Sequence, residues 1–157
     1  MPAPTAAQQV VTSPDPAATR ELGRRLGVVA RAGDLVALYG ELGAGKTQLV
    51  KGVAAGLGVV DTVSSPSFVL MGEYEGRVPL FHLDLYRLDG PADVIGGGLL
   101  DERQVIGLTI IEWAERLGAS IPRDRLDVSI DGTGDAPRTI RLRTTSAAYA
   151  RYLEAVR

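Results

Sequence analysis

Residues 40–47 read GELGAGKT, and the reading of this stretch decides the fold. It fits the pattern G-x-x-x-x-G-K-[ST], with Gly40, Gly45, Lys46 and Thr47 at the fixed positions. Glycines at 40, 43 and 45 permit positive φ and place no side chain in the way of an anion. Successive backbone N–H groups then form a concave nest. The helix that follows adds its free N-terminal donors and the positive end of its dipole. Lys46 is within reach of β- and γ-phosphates, and the Thr47 hydroxyl is placed for Mg2+. The flanks are those the pattern requires. "DLVALYG" (34–40) is a β-branched and aliphatic run expected to be a buried strand. "KTQLVKGVAAGLG", from Lys46, is expected to be a helix with Leu49, Val50 and Val53 on one face. Gly40, Gly43, Ala44, Gly45, Lys46 and Thr47 are therefore read as nucleotide-binding residues.

Outward from the loop, residues 1–8 are rich in Pro, Ala, Thr and Gln and are expected to be a frayed tail. "QVVTS" (9–13) reads as a short strand. Ser13 before Pro14, with Asp15 in the first turn, reads as a helix start. That helix is expected to stop near Gly33. "FVLMGEYEGRVPLFHLDLY" (68–86) reads as two strands about a turn at Glu75, Gly76 and Arg77. The Gly-broken segment 90–103 is expected to form short helical turns. "GLTIIEW" (107–113) is a second buried strand, and "AERLG" begins a helix. "RLDVSID" and "RTIRLRT" flank "GTGDAP" as a hairpin, and "SAAYARYLEAVR" is a closing amphipathic helix. With no internal repeat and no change of composition, residues 1–157 are expected to form a single α/β domain.

Composition narrows the function. Of 157 residues, 17 are basic and 19 acidic, a net charge of −2, whereas a dedicated nucleic-acid binder carries a strong basic excess. "RELGRR" (20–25) is accordingly read as the solvated face of a helix. The chain has no cysteine, so it has no disulfide and no thiolate metal site. No apolar run approaches the roughly 20 residues that cross a bilayer. "MPAPTAAQQVVTSPDP" lacks the regions of a secretory signal, and a cytoplasmic protein is expected. Only two of the basic residues are lysines, Lys46 and Lys51, which makes the lysine inside the Gly-rich loop stand out.

Two further stretches supply acids. "FHLDLY" (81–86) alternates, with Phe81, Leu83 and Leu85 on one face and His82, Asp84 and Tyr86 on the other. Two readings stay open: a half-exposed strand with a polar outer face, or a strand that sets Asp84 opposite the phosphate loop. His82 is the only histidine, so a zinc site is not expected. "LTIIEWAE" (108–115) is an aliphatic strand ending in an acid, the arrangement that places a carboxylate beside Mg2+. The acid is Glu112, and Ile111 stands where many such proteins carry aspartate. Alternatively, Glu112 simply begins the next helix and Trp113 is a core or rim aromatic. "SSPSF" (64–68) is a turn by its Ser and Pro content, either an inert connection or a loop that closes over a γ-phosphate.

Taken together, "GELGAGKT", "SSPSF", "HLDLYR" and "IIEWAE" resemble, in order and spacing, the TsaE (YjeE) family of small bacterial P-loop ATPases required for threonylcarbamoyladenosine (t6A) formation in tRNA. The resemblance covers nearly the whole chain. It implies a P-loop NTPase-like α/β fold, a mixed sheet flanked by helices, and ATP and Mg2+ as cofactors. By resemblance, Thr47 and Glu112 are the metal-site residues, and Asp84 is required for hydrolysis together with Glu112 and Lys46. TsaD and TsaB are the implied partners, with tRNA engaged only indirectly. Ser67 replaces the usual threonine of the Ser-Pro-Thr-Phe loop and keeps its hydroxyl, while the Gly-rich "VIGGGLL" (94–100) is less typical. The rival readings are a small metabolite kinase and a nucleotide-gated adaptor without useful turnover. A kinase needs an arginine-bearing lid, and the insertion 88–107 carries only Arg103. A guanine-specific switch is disfavoured because the chain contains no asparagine.

Overall fold

The computed structural model describes residues 6–41, 43–63, 71–86 and 102–157. "SSPSF" (64–68) and the segment 87–101 lie outside them. The strands are β1 (Ala7–Ser13), β2 (Leu35–Tyr39), β3 (Met71–Tyr74), β4 (Leu80–Asp84), β5 (Leu108–Glu112), β6 (Leu126–Asp131) and β7 (Arg138–Thr144). They form one mixed sheet in the order β1-β7-β6-β2-β5-β4-β3. β6, β2, β5 and β4 run parallel at its centre. β7 and β1 at one edge, and β3 at the other, are antiparallel to their neighbours. The helices are α1 (Pro16–Val29), α2 (Lys46–Gly56) and α3 (Ala150–Ala155). This is the expected α/β sheet flanked by helices, with the C-terminal hairpin and helix in place.

Alternation along the strands divides the core in two. Val36 and Leu38 of β2, Ile110 of β5, and Val128 and Ile130 of β6 face α1 and α2. Leu49, Val50 and Val53, the apolar stripe expected on α2, are buried against them, each adding about 1.5–3 kcal/mol. Phe81, Leu83 and Leu85 face the other side with Ile111 and Leu117. β4 therefore lies between two covered layers, as central parallel strands do. That overturns the reading of "FHLDLY" as half-exposed, because His82 on its polar face is fully buried.

Local chemistry explains the element ends. Asp15, not Ser13, caps α1, its Oδ1 accepting from Ala18 N at 2.8 Å, with Pro16 in the first turn. Ser13 is the last residue of β1 and its Oγ pairs with Thr19 Oγ1 at 2.7 Å. The expected tail is shorter than residues 1–8, because Ala7 and Gln8 pair with Thr144 and Arg143 of β7. α1 ends at Val29 rather than near Gly33. Arg77, from the β3–β4 turn, donates to the carbonyls of Gly27 and Ala30 at that end. "AERLG" forms 3-10 turns interrupted at Gly118 (φ 52°) rather than an α-helix. Residues Glu102–Ile106 form another 3-10 turn. Asp34 at the mouth of β2 accepts from Tyr152 Oη and Arg151, tying α3 to the sheet.

Candidate functional site

The two long helices begin differently. α1 starts on its own aspartate, whereas α2 starts at Gly45, with φ 109° and, among the described residues, no side-chain cap. Its first amides are orphan donors at the positive end of a helix dipole. The loop before them turns on positive φ at Gly40 (154°), Gly43 (82°) and Gly45 (109°). At Gly40 a Cβ would also lie 2.7 Å from the Ile130 carbonyl oxygen. Glycine is required there on both counts.

A cleft of about 380 Å3 opens over α2's start, lined by Gly43–Gln48, Asp84, Tyr86, Glu112 and Trp113. The sheet supplies its acids. Asp84 and Glu112 are register partners at the C-terminal ends of β4 and β5, so their side chains share a face. Glu112 is buried, with Oε1 3.5 Å from Thr47 Oγ1. Asp84 Oδ1 accepts from Tyr86 N at 3.0 Å. Lys46 is buried and donates to the Gly40 carbonyl and, at 3.3 Å, to that of Glu41. Burial pulls its ammonium below the ordinary lysine pKa, against the opposing pull of Glu112, Glu115 and Asp84.

Trp113 is neither a core residue nor a plain rim aromatic. Its ring lies 4.1 Å from Lys46 Nζ and packs against Tyr86 at 4.9 Å. Among the described residues it is the only non-glycine with left-handed backbone, φ 59°. That conformation costs about 1–2 kcal/mol. It turns the chain sharply after β5, so Glu112 ends the strand and the ring covers Lys46.

Two residues of this region escaped the sequence reading. His82 Nε2 lies 2.5 Å from Glu112 Oε2, and its Nδ1 is buried with no partner among the described residues. The carboxylate thus sits between an imidazole and a threonine hydroxyl. The one-in-two alternation that puts His82 on Asp84's face was the available signal. Arg138 donates to the carbonyls of Ala44 at 2.9 Å and Gly43 at 3.3 Å, from 94 and 95 positions away. Nothing local in the sequence announces it. It also lines a second cavity of about 270 Å3, walled by Ser13–Pro16, Thr19, Gly43–Gly45, Gln48 and Gly134–Ala136. This cavity shares the loop as a wall with the first.

The oxygen donors Thr47 Oγ1 and Glu112 Oε1 suit a hard cation such as Mg2+, which keeps most of its waters and takes one or two protein oxygens beside phosphate. Among the described residues no group of three or more carboxylate or imidazole side chains makes an all-protein metal cage. A nucleotide-borne Mg2+ needs none.

Residues 13–140 match the family model of the threonylcarbamoyl adenosine biosynthesis protein TsaE. The chain is 41% identical over 140 residues to a Streptomyces coelicolor protein named tRNA threonylcarbamoyladenosine biosynthesis protein TsaE, covering 87% of this chain and 95% of that one. It is 36% identical over 137 residues to the Bacillus subtilis protein of the same name, covering 86% and 85%. The crystal structure of Bacillus subtilis YdiB superposes with a TM-score of 0.78 at 31% identity, over 97% of this chain and 95% of that one. A family match that spans the phosphate loop, both acid-bearing strands and the start of β7, joined to the same fold, leads to one conclusion: the chain belongs to the TsaE family.

Proposed function

We propose that this chain is a Mg2+-dependent ATPase of the cytoplasm that acts in threonylcarbamoyladenosine modification of tRNA, together with TsaD and TsaB, and that it works as a single domain. The observation that carries the reading is the convergence, in one cleft, of an uncapped helix N-terminus, the Thr47–Glu112 oxygen pair and Asp84. The loop amides of Gly43 and of Gly45 to Thr47 grip the β-phosphate, and Lys46 turns from the loop carbonyls to the β- and γ-phosphate oxygens. Thr47 and Glu112 hold Mg2+, which when bound neutralises charge on the phosphate oxygens. His82 donates to Glu112 and holds that carboxylate in one orientation. Asp84 accepts a hydrogen bond from the attacking water and aims it at the γ-phosphorus. The nucleoside lies in the second cavity, across the loop from the acids.

The isolated enzyme is expected to be slow. Ile111 stands before Glu112, where many phosphate-loop proteins carry aspartate. A partner-supplied charge can raise phosphoryl-transfer rates about 10³–10⁵-fold. The test is steady-state phosphate release by the pure protein, then with a TsaD–TsaB complex added. Acceleration by the complex, abolished in Lys46→Ala, is the expected result. Full speed alone, unchanged by the complex, would show a site complete in itself. Transfer of the γ-phosphate to a metabolite rather than to water would replace the ATPase reading with that of a kinase.

A further inference from the structure

We propose that Arg138 is a positioning residue that holds the phosphate loop in its binding conformation from behind, an inference that rests on the nucleotide-binding reading of that loop. One guanidinium serves two loops. Nε donates to the Ala44 carbonyl at 2.9 Å, and Nη2 donates to Gly43 at 3.3 Å and to Gly134 at 2.9 Å. Nη1 donates to the carbonyl of Ala136, in the turn that precedes β7. Arg138 lines the second cavity but is absent from the wall of the phosphate cleft, so it stands on the far side of the loop from Asp84 and Glu112.

The peptide plane turns this into a directional device. In a trans peptide the C=O and the following N–H point in opposite directions. Drawing the Ala44 carbonyl toward Arg138 therefore directs the Gly45 N–H away from it. Drawing the Gly43 carbonyl back does the same for the Ala44 N–H, which donates to the Glu41 carbonyl at 3.0 Å and closes the turn. The loop needs such a brace because Gly43 and Gly45 both hold positive φ, and a Cβ at Gly43 would meet nothing within 4 Å. Glycines in open space have the most conformational freedom to lose. Lys46 fastens the carbonyls of Gly40 and Glu41. Once Lys46 turns to phosphate, Arg138 is, among the described residues, the side chain that still holds the loop carbonyls. A planar fork can bond several carbonyls at fixed angles, and a lysine ammonium cannot reproduce it.

The experiment is calorimetric titration of the full chain with ADP and, separately, with pyrophosphate, in wild type, R138K and R138A, and in R138A with added guanidinium ion. The unliganded thermal midpoint of each protein is recorded alongside. Positioning predicts that both variants lose about tenfold or more in affinity for both ligands, the scale of a charge-assisted contact, and that guanidinium restores R138A. Wild-type pyrophosphate affinity in R138K would reduce the effect to charge and overturn the proposal. Weakened ADP with unchanged pyrophosphate would overturn it too, by assigning Arg138 to the nucleoside. If R138A does not fold, the amide resonances of Gly43 and Gly45 in R138K decide, and unshifted resonances count against the brace. A wild-type chain that binds neither ligand would sink the reading of the loop itself, an outcome distinct from the others.

Discussion

Glycine serves two different ends on the two sides of α2. At the seam between α1 and α2, Gly23 and Gly27 face Gly52 and Gly56, and all four have helical backbone. A Cβ there would lie 2.3 Å from the Leu49 carbonyl oxygen at Gly23 and 2.3 Å from that of Val53 at Gly27. At Gly52 and Gly56 it would lie 2.0 and 2.2 Å from the carbonyl oxygens of Arg20 and Arg24. At Gly43 and Gly45 of the phosphate loop the situation is reversed. Gly43 has open space and φ 82°, and at Gly45 a Cβ would meet only a Thr19 methyl carbon, at 4.0 Å. The seam needs glycine for room, whereas Gly43 and Gly45 need it for conformation. Seam glycines give up about 1 kcal/mol each of helix propensity against alanine, and close backbone packing offsets that loss. Since α1 carries part of the second cavity's wall, at Pro16 and Thr19, the seam also fixes how far that part stands from the loop.

The sharpest way to break this contrast is Gly52→Ala. The added methyl meets backbone that cannot swing aside, and a loss of about 3 kcal/mol or more is expected. The urea midpoint should fall well below wild type while the protein that remains folded binds nucleotide normally. An unchanged midpoint would mean that the helices are not held this close.

Next in size are the acids across the cleft. Glu112→Gln and Asp84→Ala are expected to retain ADP and lower phosphate release about 10²-fold. Glutamine is the better choice at 112, since alanine would leave the buried His82 without its partner. Wild-type turnover in either variant would remove that residue from the catalytic assignment. Nucleotide binding lost together with turnover in Asp84→Ala would instead move that carboxylate to binding.

Lys46→Ala separates loop function from stability. Affinity for ADP is expected to fall about tenfold to a hundredfold, by loss of a charge-assisted contact. The unliganded melting temperature should change little, because the burial that disfavours the ammonium in the folded chain is offset by its bonds to the Gly40 and Glu41 carbonyls. Unaltered ADP affinity by calorimetry would end the phosphate-loop assignment. The smallest effect belongs to Gly43→Ala. With φ 82° and nothing to strike, the variant carries only the conformational cost of about 1–2 kcal/mol. That cost should appear as several-fold weaker ADP binding if the conformation is needed for the ligand. A large fall in the urea midpoint would show that steric room matters at Gly43 as well, and would erase its distinction from the seam.

Much of this protein was legible in the chain because its signals are local. GELGAGKT between an aliphatic strand and a helix dictates the loop, since glycines, lysine and threonine act within a few residues of one another. The alternation of "FHLDLY" placed Asp84 and His82 on one face, and the end of "LTIIE" placed Glu112 at a strand terminus. What the chain could not decide was which face of β4 was covered, or what lay opposite. The burial of His82 and its bond to Glu112 arise only when β4 and β5 pair in parallel, 30 residues apart in sequence. Arg138 reads as one of several arginines on the C-terminal hairpin until β7 brings it behind the loop. The glycines of α1 and α2 read as weak helix positions until the two helices meet. In each case a contact between distant residues, rather than any residue's own preference, sets the role. Tertiary packing alone supplies such contacts.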